Sequence, residues 1–537
     1  GFICIFFETT INEVVFTYNP RYLLNLSRRV RQCCLLSPYL FLIGAEILGI
    51  IIRQNNNIEG IQMEDKEYKI SQYADDTCLT IKARQHILQE VLNVFEKFEK
   101  FSGLKVNYDK TEIMPIGSLK DSHFKLNTHK DIRWTDGPVK LLGIMISSST
   151  NKLANLNYNP LLQKIKNQLN MWSQRTFSLY GKITVLKTFA LSQLIYVMTV
   201  VPSPTSNSIQ DNFFKKVETV LYTFLWGGPH REKIKRKTII GSYEEGGLKM
   251  IHISSQNQAL KLSWVKRLLC QDSVGKWKNF ISHQMPRFRD IWKCNIHFKD
   301  MDVFKSVKSL FWKEVIKIWC MVNYFEPKNQ KEVAHQYLWY NSWIRIDNKI
   351  VFYANWNREG IDMVKDLIDV NGNFMTYAAF CMKYPNLRTN ICTYQGLLAA
   401  IPRQWKMILH EFDAGNVEPY VYLVEKMMKA EKASRFFYLL LIEKIFIPPT
   451  NVLNKWNADL NNVIDEEYWE SCFTQIYKCT ICATLRATQY RFLHRIIYTN
   501  SKLFNCGIKE SAVCSLCNEE EETFIHRHSR GMDGKQT

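Results

Sequence analysis

Over the first 150 residues, short runs of strand-favouring residues alternate with longer segments in which apolar positions recur every three or four residues. Two of the short runs, at positions 68–72 and 78–81, lie on either side of residues 73–76, Tyr-Ala-Asp-Asp. They predict two strands joined by a tight hairpin. The hairpin would present the carboxylates of Asp75 and Asp76 at its tip, within reach of a hard cation such as Mg²⁺. An isolated Asp pair is also typical of a turn that hydrogen-bonds its own backbone.

Two helices are predicted around this hairpin from apolar positions at helical spacing. The first starts at Ser37-Pro38, where Ser suits the N-cap and Pro the first helical position, and it runs to near Gln54. The second covers positions 87–101 and ends at Gly103. Strand-like residues return over Val139–Ile146. The alternation of strands and helices predicts an α+β fold for this part of the chain.

Beyond residue 150 the pattern becomes mostly helical. Between Pro160 and Val201 the apolar residues share one face, and the Pro202-Ser203-Pro204 stretch should end that helix. The most apolar part, Val185–Val201, contains polar residues and predicts a buried helix and no membrane span. We therefore divide the chain into an α+β domain at 1–150, helical segments at 151–250 and 251–470, and a Cys- and His-containing segment at 471–537.

The composition favours a polyanionic partner. Lys and Arg number 70 against 51 Asp and Glu, a formal net charge of +19, and 13% of the residues are aromatic. Basic and aromatic residues side by side suit contacts to nucleic acid, although amphipathic helices with long Lys side chains show the same pattern. The 15 cysteines have no regular spacing and no signal peptide is recognisable, which indicates a reduced intracellular location in the nucleus or cytoplasm.

Four motifs follow one another in a fixed order, at residues 29–41, 73–76, 98–111 and 140–144. They resemble the reverse transcriptase of non-LTR (LINE-type) retrotransposons. That family reads G-x-R-Q-G-x-P-L-S-P-x-L-F, a YADD hairpin, F-x-x-x-S-G-L-x-x-N-x-x-K-[ST] and K-x-L-G-[IV]. Residues 172–182 also resemble its thumb segment, W-x-x-R-x-L-S-L-x-G-[RK]. The resemblance implies a partial polymerase palm of the right-hand fold, then a helical thumb and a mostly α-helical C-terminal region.

An RNA-directed DNA polymerase that uses two Mg²⁺ ions is the activity that the resemblance implies. Its substrates would be an RNA template, a DNA primer and dNTPs; we predict no membrane or protein partner. Asp75 and Asp76 would bind the metal, and Lys110 would protonate the leaving pyrophosphate, although a solvated loop lysine is an equal alternative. The implied nucleotide and template contacts are Arg31, Gln32, Ser37, Pro38 and Tyr73, and the implied primer and duplex contacts are Gly143, Arg175 and Lys182.

Several positions depart from the family pattern. Arg29 and Cys33 replace glycines, and Leu35 replaces a proline. The third metal-binding aspartate should lie on an earlier strand, yet the only acids before Ser27 are Glu8 and Glu13. Since there is no initiating Met, the chain reads as a fragment that begins after that strand. We therefore expect an impaired polymerase; the alternatives are a non-catalytic RNA- or DNA-binding remnant of a retrotransposon and a decayed product that barely folds.

A second group of candidate metal ligands lies near the C-terminal end. Cys514 and Cys517 form a C-x-x-C pair, and His526 follows at a spacing that suits zinc. The resembling family carries C-x-x-C…H…C here, and the fourth cysteine is absent. Either His528 completes the site or the site is broken, because structural zinc needs four ligands. An earlier pair, Cys479 and Cys482, is interpreted as core thiols, with a four-cysteine site as the alternative.

Overall fold

The structure is a computed structural model of the 537-residue chain. It describes residues 2–10, 35–63, 66–117, 132–204, 212–229, 232–271, 275, 277–369, 371–410 and 419–529, with the backbone alone for 2–10, 528 and 529. The chain divides into two compact units, Gly1–Asn157 and Tyr158–Thr537, which we describe separately.

The first unit combines ten strands with two helices among its described residues. In chain order they are β1 (Phe2–Thr10), α1 (Ser37–Gln54), β2 (Ile61–Met63), β3 (Lys66–Tyr68), β4 (Ile70–Tyr73), β5 (Asp76–Lys82), α2 (Gln85–Ser102), β6 (Lys105–Val106), β7 (Glu112–Ile116), β8 (Arg133–Trp134), β9 (Val139–Leu141) and β10 (Ile144–Ile146). The predicted α+β character is confirmed.

The main sheet has the strand order β4-β5-β1-β7-β8, and β6 pairs with the last residues of β1. Its pairs are antiparallel except for the parallel pair of β7 and β8. Two smaller hairpins accompany it, β2 with β3 and β9 with β10. Since β1 hydrogen-bonds to strands on both sides, it is the central strand of the sheet.

The two faces of this sheet are covered differently. Along β5, Thr77, Leu79 and Ile81 are buried, whereas the residues between them are half-buried. Leu79 and Ile81 pack with α1 and α2 in a core to which α2 contributes seven buried residues. On the opposite face, Cys78 packs in a small cluster around Met114 and Val139, which includes residues of β9 and β10. Helices therefore cover one face, and a short hairpin lies on the other.

Both predicted helices of this unit are confirmed. Helix α2 ends at Gly103, whose φ of 72° is the left-handed conformation that glycine adopts without strain. Helix α1 begins at Ser37 itself, with Leu36 at the N-cap position. It buries Leu48, Gly49 and Ile52, while many of its other apolar side chains are exposed among the described residues. Residues 11–34, which precede it, lie outside that description.

Two described stretches are long and apolar enough to cross a membrane by length and composition. They are Ser37–Gln54, of which 17% is buried, and Leu179–Val200, of which 44% is buried. One or two such helices are weak evidence for a span, because core helices of soluble proteins pass the same test.

Helices make up most of the second unit. From the segment that links the units onward they are α3 (Leu153–Ser173), α4 (Leu179–Val185), α5 (Ser192–Val200), α6 (Phe213–Trp226), α7 (Arg236–Ile239), α8 (Ile253–Leu269), α9 (Trp277–Ser282), α10 (Leu310–Asn323), α11 (Gln330–Ala334), α12 (Ala354–Arg358), α13 (Tyr377–Lys383), α14 (Ile391–Ala400), α15 (Arg403–Ile408), α16 (Leu423–Lys429), α17 (Ala433–Glu443), α18 (Thr450–Leu460), α19 (Glu466–Lys478), α20 (Ala483–Leu493), α21 (Asn500–Asn505) and α22 (Phe524–Ser529). A π-helical turn, Leu186–Leu191, connects α4 to α5, and a two-stranded hairpin, β11 (Arg345–Ile346) with β12 (Lys349–Ile350), precedes α12.

Two hydrophobic cores hold the long middle part of this unit together. In one, α8 packs against α10 and α17, with Trp292, Trp319 and Phe437 fully or almost fully buried. The other is built around Trp339, Trp356 and Trp405. The prediction that residues 251–470 are mostly helical is confirmed.

A buried ionic group joins the end of α5 to α8 and α10. The helix ends at Val200, as the Pro202-Ser203-Pro204 stretch predicts. The fully buried Lys261 ammonium donates to the carbonyl oxygen of Val201 and lies 3.9 Å from Glu314 Oε2. The Ser203 amide donates to the same Glu314 oxygen over 2.8 Å. Burial lowers the pKa of Lys261 to about 8, with Glu314 opposing the shift.

Another long-range contact fixes the loop at residues 245–248 against α19 and α20. The carbonyl oxygen of Gly246 accepts hydrogen bonds from Tyr490 Oη at 3.0 Å and His494 Nε2 at 2.8 Å. Gly246 has φ 79°, and a Cβ there would lie 2.8 Å from the Phe473 ring. Burial lowers the pKa of His494 to about 4. The imidazole is therefore neutral near pH 7.

We expect His494 to make the stability of the protein depend on pH. Its pKa is about 4 in the folded chain against 6.5 for the ordinary group, so between these values the unfolded chain binds more protons. Stability should rise with pH through this window and be lost as the pH falls, by at most about 3 kcal/mol. Thermal unfolding of His494→Gln should show a smaller slope between pH 4 and 6.5. Exposed His86→Gln is the control, and equal slopes in the two variants would contradict the assignment.

Candidate active site

The predicted acidic hairpin is present. Strands β4 and β5 pair so that Tyr73 lies opposite Asp76, which leaves Ala74 and Asp75 as a two-residue loop. Ala74 has φ 50°, a left-handed conformation that costs a residue with a Cβ about 1 kcal/mol. Strained backbone of this kind is concentrated at functional sites. At this tip Tyr73 is 68% exposed, Asp75 is exposed and Asp76 is half-buried.

Alternation along β5 shows which face of the sheet Asp76 occupies. Successive side chains of a strand point to opposite faces. Because Thr77 and Leu79 are buried on the face that carries the helices, Asp76 shares the other face with Cys78. The second carboxylate of the hairpin therefore lies on the face opposite α1 and α2, the side that carries β9 and β10.

The strand next to the acidic hairpin belongs to this chain. In the pairing of β1 with β5, Glu8 lies opposite Asp76. The sequence did not indicate this pairing, because a local pattern gives no measure of strand pairing across some 70 residues. The nine residues of β1 include no aspartate, and Glu8 is its only acid.

Lys110 lies at the same end of the sheet. β6 pairs with Thr9 and Thr10 of β1, and a 3₁₀ turn, Tyr108–Lys110, follows β6 directly. Asn107 holds this turn, since its Oδ1 accepts from the Asp109 amide at 3.2 Å and its carbonyl oxygen accepts from Thr111 Oγ1 at 2.7 Å. Strand register thus brings the last residues of β1, the hairpin tip and the Lys110 turn to the same end of the sheet. Lys110 is exposed at this end.

The residues predicted to contact nucleotide and template do not all lie at the hairpin. Arg31 and Gln32 lie outside the described residues. Ser37 and Pro38 start α1, which contacts β4 further along through the hydrogen bond from Gln72 Nε2 to the Ala45 carbonyl oxygen, 3.1 Å. Eight residues of helix separate Ser37 from Ala45, or about 12 Å. Among the described members of this group, Tyr73 alone is at the hairpin itself, and the nucleotide and template roles stay predictions.

Gly143 lies in a turn. The strand-like run Val139–Ile146 forms two strands, because Leu142 with φ 47° and Gly143 with φ 80° reverse the chain between β9 and β10. Two consecutive positive φ values define the turn type that favours glycine in two-residue hairpins. The side chain of Asn157 braces this hairpin through two 2.8 Å hydrogen bonds to the backbone of Met145. A contact of Gly143 to primer stays a prediction.

Arg175 and Lys182 belong to the second unit. The Arg175 guanidinium lies over the Trp172 ring at 4.8 Å, and the side chain is exposed. Lys182 Nζ donates to the Leu225 carbonyl oxygen at 3.2 Å, in the last turn of α6. Burial lowers the pKa of Lys182. This lysine thus satisfies a carbonyl at a helix C-terminus, a contact that sequence reasoning missed, and duplex binding by either residue stays a prediction.

The predicted C-terminal ligands come together. One ligand atom each from Cys514, Cys517 and His526 lie within 4.8 Å of one another. Cys517 Sγ is 3.3 Å from His526 Nε2, and His526 Nδ1 is 3.2 Å from Glu520 Oε2. Backbone amides of Glu520 and Glu519, and then His526, lower the pKa of the Cys517 thiol to about 7. The side chain of His528 lies outside the described residues.

The interpretation of Cys479 and Cys482 as core thiols was wrong. Both are exposed, in the loop between α19 and α20. The apolar run around them forms helices on each side, and the loop turns outward, with Ile481 94% exposed. Backbone amides at the start of α20 lower the pKa of Cys482.

The first unit places an acidic hairpin beside the central strand of a mostly antiparallel sheet, the arrangement expected of a nucleotidyl-transferring enzyme. Comparison with known proteins agrees. The family described as reverse transcriptase (RNA-dependent DNA polymerase) matches residues 5–146. The uncharacterized 149 kDa protein of transposon TX1 from Xenopus laevis is 24% identical over 308 residues, 56% of this chain and 23% of that protein.

A protein from Arabidopsis thaliana described as a putative ribonuclease H protein is 26% identical over 126 residues, 22% of this chain and 19% of that protein. The chain thus spans about a quarter or less of the length of these curated relatives. Residues 5–146 thus match a reverse transcriptase domain, and the four motifs that resemble non-LTR retrotransposon enzymes all lie within this range. Such a domain acts on nucleic acid and dNTPs and generally uses divalent metal ions.

Lys69 is a buried cation that holds the hairpin against α1. Its ammonium donates to the carbonyl oxygens of Arg53 at 3.2 Å and Asn55 at 2.9 Å, at the end of α1, and lies 3.0 Å from Glu67 Oε2. Its own carbonyl oxygen accepts from the Thr80 amide of β5 at 2.8 Å. This one residue therefore links the helix to both arms of the hairpin.

We expect Lys69→Met to destabilise the first unit by about 3 kcal/mol, because it leaves Glu67 and two carbonyl groups without their buried partner. Urea unfolding should show a lower midpoint, and amide exchange should be faster in residues 70–82. Lys66→Met, at an exposed position of β3, is the matched control. Equal exchange rates in the two variants would show that Lys69 does not hold the hairpin.

Proposed function

We propose that this chain is an RNA-directed DNA polymerase whose metal centre is at the hairpin tip and whose chemistry is weak. The strand register supports the proposal, because it brings Asp75, Asp76, the end of β1 and the Lys110 turn to the same end of the sheet. An RNA template, a DNA primer and dNTPs are the substrates that this proposal assigns.

The donor atoms at this end of the sheet suit Mg²⁺. Asp75 and Asp76 offer carboxylate oxygens, the ligand type that this ion prefers, and Asp76 lies on the face opposite α1 and α2. When bound, two Mg²⁺ ions would activate the primer 3′-oxygen and stabilise charge on the triphosphate. Asp75 would be the main ligand and Asp76 an auxiliary one. Tyr73 would support the primer terminus, and Lys110 would donate a proton to the leaving pyrophosphate.

The absence of an aspartate in β1 motivates the expectation of weak activity. Glu8 is the acid in register with Asp76, and its side chain is one methylene longer than that of aspartate. Metal charge stabilisation is worth several kcal/mol, and a loss of about 4 kcal/mol would slow the chemical step by about 10³. Leu35, where the family has a proline, and Arg29 and Cys33, where it has glycines, add to this expectation.

Primer extension tests the assignment of the hairpin. With an oligonucleotide template, a primer, dNTPs and Mg²⁺ or Mn²⁺, we expect slow incorporation that Asp75→Ala lowers at least about 10-fold, because a metal ligand is removed. Glu96→Ala, which removes an exposed carboxylate of α2, is the control and should retain the rate. Incorporation that Asp75→Ala leaves unchanged would contradict the metal assignment.

The same assay separates the alternatives. Fast incorporation that depends on Asp75 would contradict the impairment and keep the polymerase. No incorporation, together with salt-dependent binding of the oligonucleotide that survives Asp75→Ala, would favour a binding remnant, to which the net charge of +19 is suited.

We also propose that Cys514, Cys517 and His526 bind one Zn²⁺ that stabilises the fold of the C-terminal segment. Two sulfurs and one imidazole nitrogen within 4.8 Å match three positions of a tetrahedral site. Glu520 beside Nδ1 orients the imidazole so that Nε2 can face the metal, a common arrangement around metal-bound histidines. His528 remains our proposed fourth ligand. Zinc would add a structural constraint close to Phe524, which packs on Trp456 with ring centroids 5.6 Å apart.

Metal removal tests this site. The purified protein should contain about one zinc per chain, and a chelator should lower its thermal midpoint, because structural zinc contributes directly to folding. Cys514→Ser and Cys517→Ser should abolish the bound metal, whereas Cys506→Ser, at an exposed cysteine of the same segment, should retain it. Zinc affinity should fall as the pH drops below about 7, where the Cys517 thiol is protonated. A metal content equal in all three variants would contradict the site.

A further inference from the structure

Three segments of the second unit, 232–238, 447–456 and 494–502, meet around positively charged side chains. Thr238 Oγ1 donates to the Ile447 carbonyl oxygen at 2.8 Å and joins the first segment to the second. Arg495 Nη1 donates to the Lys455 carbonyl oxygen at 3.3 Å and joins the third to the second. Lys233 Nζ lies 3.9 Å from the Tyr498 ring centroid and joins the first to the third. The segments are therefore held together by contacts distant in sequence.

We call Lys233, Lys455, Arg495 and Lys502 the cationic cluster. Arg495 pairs with Asp459, and Lys502 Nζ donates to the carbonyl oxygens of Arg495 at 2.6 Å and Ile497 at 3.4 Å. Within the described part of the chain, no carboxylate forms an ion pair with Lys233, Lys455 or Lys502. Of the four cations, Arg495 therefore has a carboxylate partner within the described residues, and the three lysines do not.

The members of the cluster repel one another. Burial, and then the charges of Arg495, Lys455 and Lys233, lower the pKa of Lys502. Like charges held close together without counter-charges cost free energy in the folded chain, and an external polyanion would offset that cost. This arrangement is typical of a surface selected for binding rather than for stability.

A cavity of about 210 Å³ opens beside the cluster. Lys233 and Lys235 line it together with Thr238, Pro449, Thr450 and Asn451, and its lining includes no acidic residue. Helix α18 begins at Thr450, so its positive dipole end also lies at this cavity. Cations and a helix N-terminus are the groups that recognise phosphate.

We propose that the cationic cluster and this cavity bind the sugar-phosphate backbone of single-stranded nucleic acid. The site lies in the second unit, outside the residues that match the reverse transcriptase family. Tyr498, which is 54% exposed, adds an aromatic surface next to the lysines, and alternating cations and aromatic rings are how proteins hold single strands without sequence preference. The proposal rests on the proposed function in that the bound strand would be the template or its product.

The candidate zinc segment positions part of this surface. Arg495 lies over the Phe524 ring at 4.7 Å and over Trp456 at 5.1 Å, and Lys502 is bonded to the Arg495 backbone. Phe524 precedes His526 by two residues, so order in the Cys514–His526 loop is transmitted to Arg495 through direct packing.

Fluorescence anisotropy with a labelled single-stranded oligonucleotide tests the proposal, with the full chain carrying Asp75→Ala and with neither dNTPs nor Mg²⁺ present. The cluster variant carries Lys233→Gln, Lys455→Gln and Lys502→Gln. The control carries Lys313→Gln, Lys349→Gln and Lys429→Gln, three exposed and dispersed lysines, so that each variant loses three charges from +19. Thermal unfolding should show that both variants are folded, since all six positions are exposed.

We expect the slope of log affinity against log salt, between about 50 and 200 mM, to fall by about 2 in the cluster variant, since each lysine–phosphate contact contributes about 0.7. The control should keep most of its slope. Equal losses in the two variants would show that charge acts diffusely and would overturn the proposal. A cluster variant that binds the oligonucleotide normally but loses binding to vesicles of anionic phospholipid would also overturn the proposal. So would a cluster variant that binds the oligonucleotide normally and loses only the competition by inorganic phosphate.

This measurement is independent of polymerisation. If primer extension fails, the result of the binding assay still stands. If the cluster variant extends primers normally and binds the strand with unchanged affinity, the proposed binding site is contradicted and the proposed polymerase activity is not. The two proposals therefore fail separately.

Discussion

The pairing of β1 with strands on both sides is the constraint on which the first unit depends. Backbone donors and acceptors in the middle of a sheet must be satisfied, and β5 and β7 satisfy those of β1 along most of its length. A slip of one residue would exchange the two faces of the strand, so the register is strongly determined. That register, with Glu8 opposite Asp76, decides which residues the acidic hairpin meets. The same strand also carries β6 at its end and so brings in the Lys110 turn.

Long-range polar contacts have a similar part in the second unit. Lys261 and Glu314 join the end of α5 to α8 and α10, and Gly246 joins an irregular loop to α19 and α20. Each contact pairs polar atoms in a buried position, where an unpaired polar group would cost free energy. The contact therefore fixes the relative position of the helices more specifically than hydrophobic packing alone. The glycine at 246 is required because its φ is positive and the Phe473 ring leaves no room for a side chain.

The protein has a basic composition and a local acidic site at the hairpin tip. The chain as a whole is strongly basic, yet the hairpin tip places two carboxylates in a two-residue loop and at its edge. A basic protein with a local acidic centre can attract a polyanion through its general surface and still bind divalent cations where phosphates react. In the second unit the cationic cluster beside Tyr498 and the Cys514, Cys517 and His526 group lie in one packed region joined by Arg495 and Phe524. The acidic hairpin therefore belongs to the first unit, whereas the cationic cluster and the candidate zinc ligands share one packed region of the second unit.

The sequence by itself determined the elements whose signals are local. The hairpin at 73–76, α1, α2 with its glycine at 103, the helical character of 251–470 and the spacing of Cys514, Cys517 and His526 all follow from residues within a few turns of one another. Only the tertiary structure decided that β1 lies beside the hairpin, that Gly143 belongs to a turn, that Lys182 caps α6, and that Cys479 and Cys482 are exposed. The physical reason is that strand pairing, burial and capping depend on partners tens to hundreds of residues away, and a pattern read along one segment carries no record of which surface will cover it.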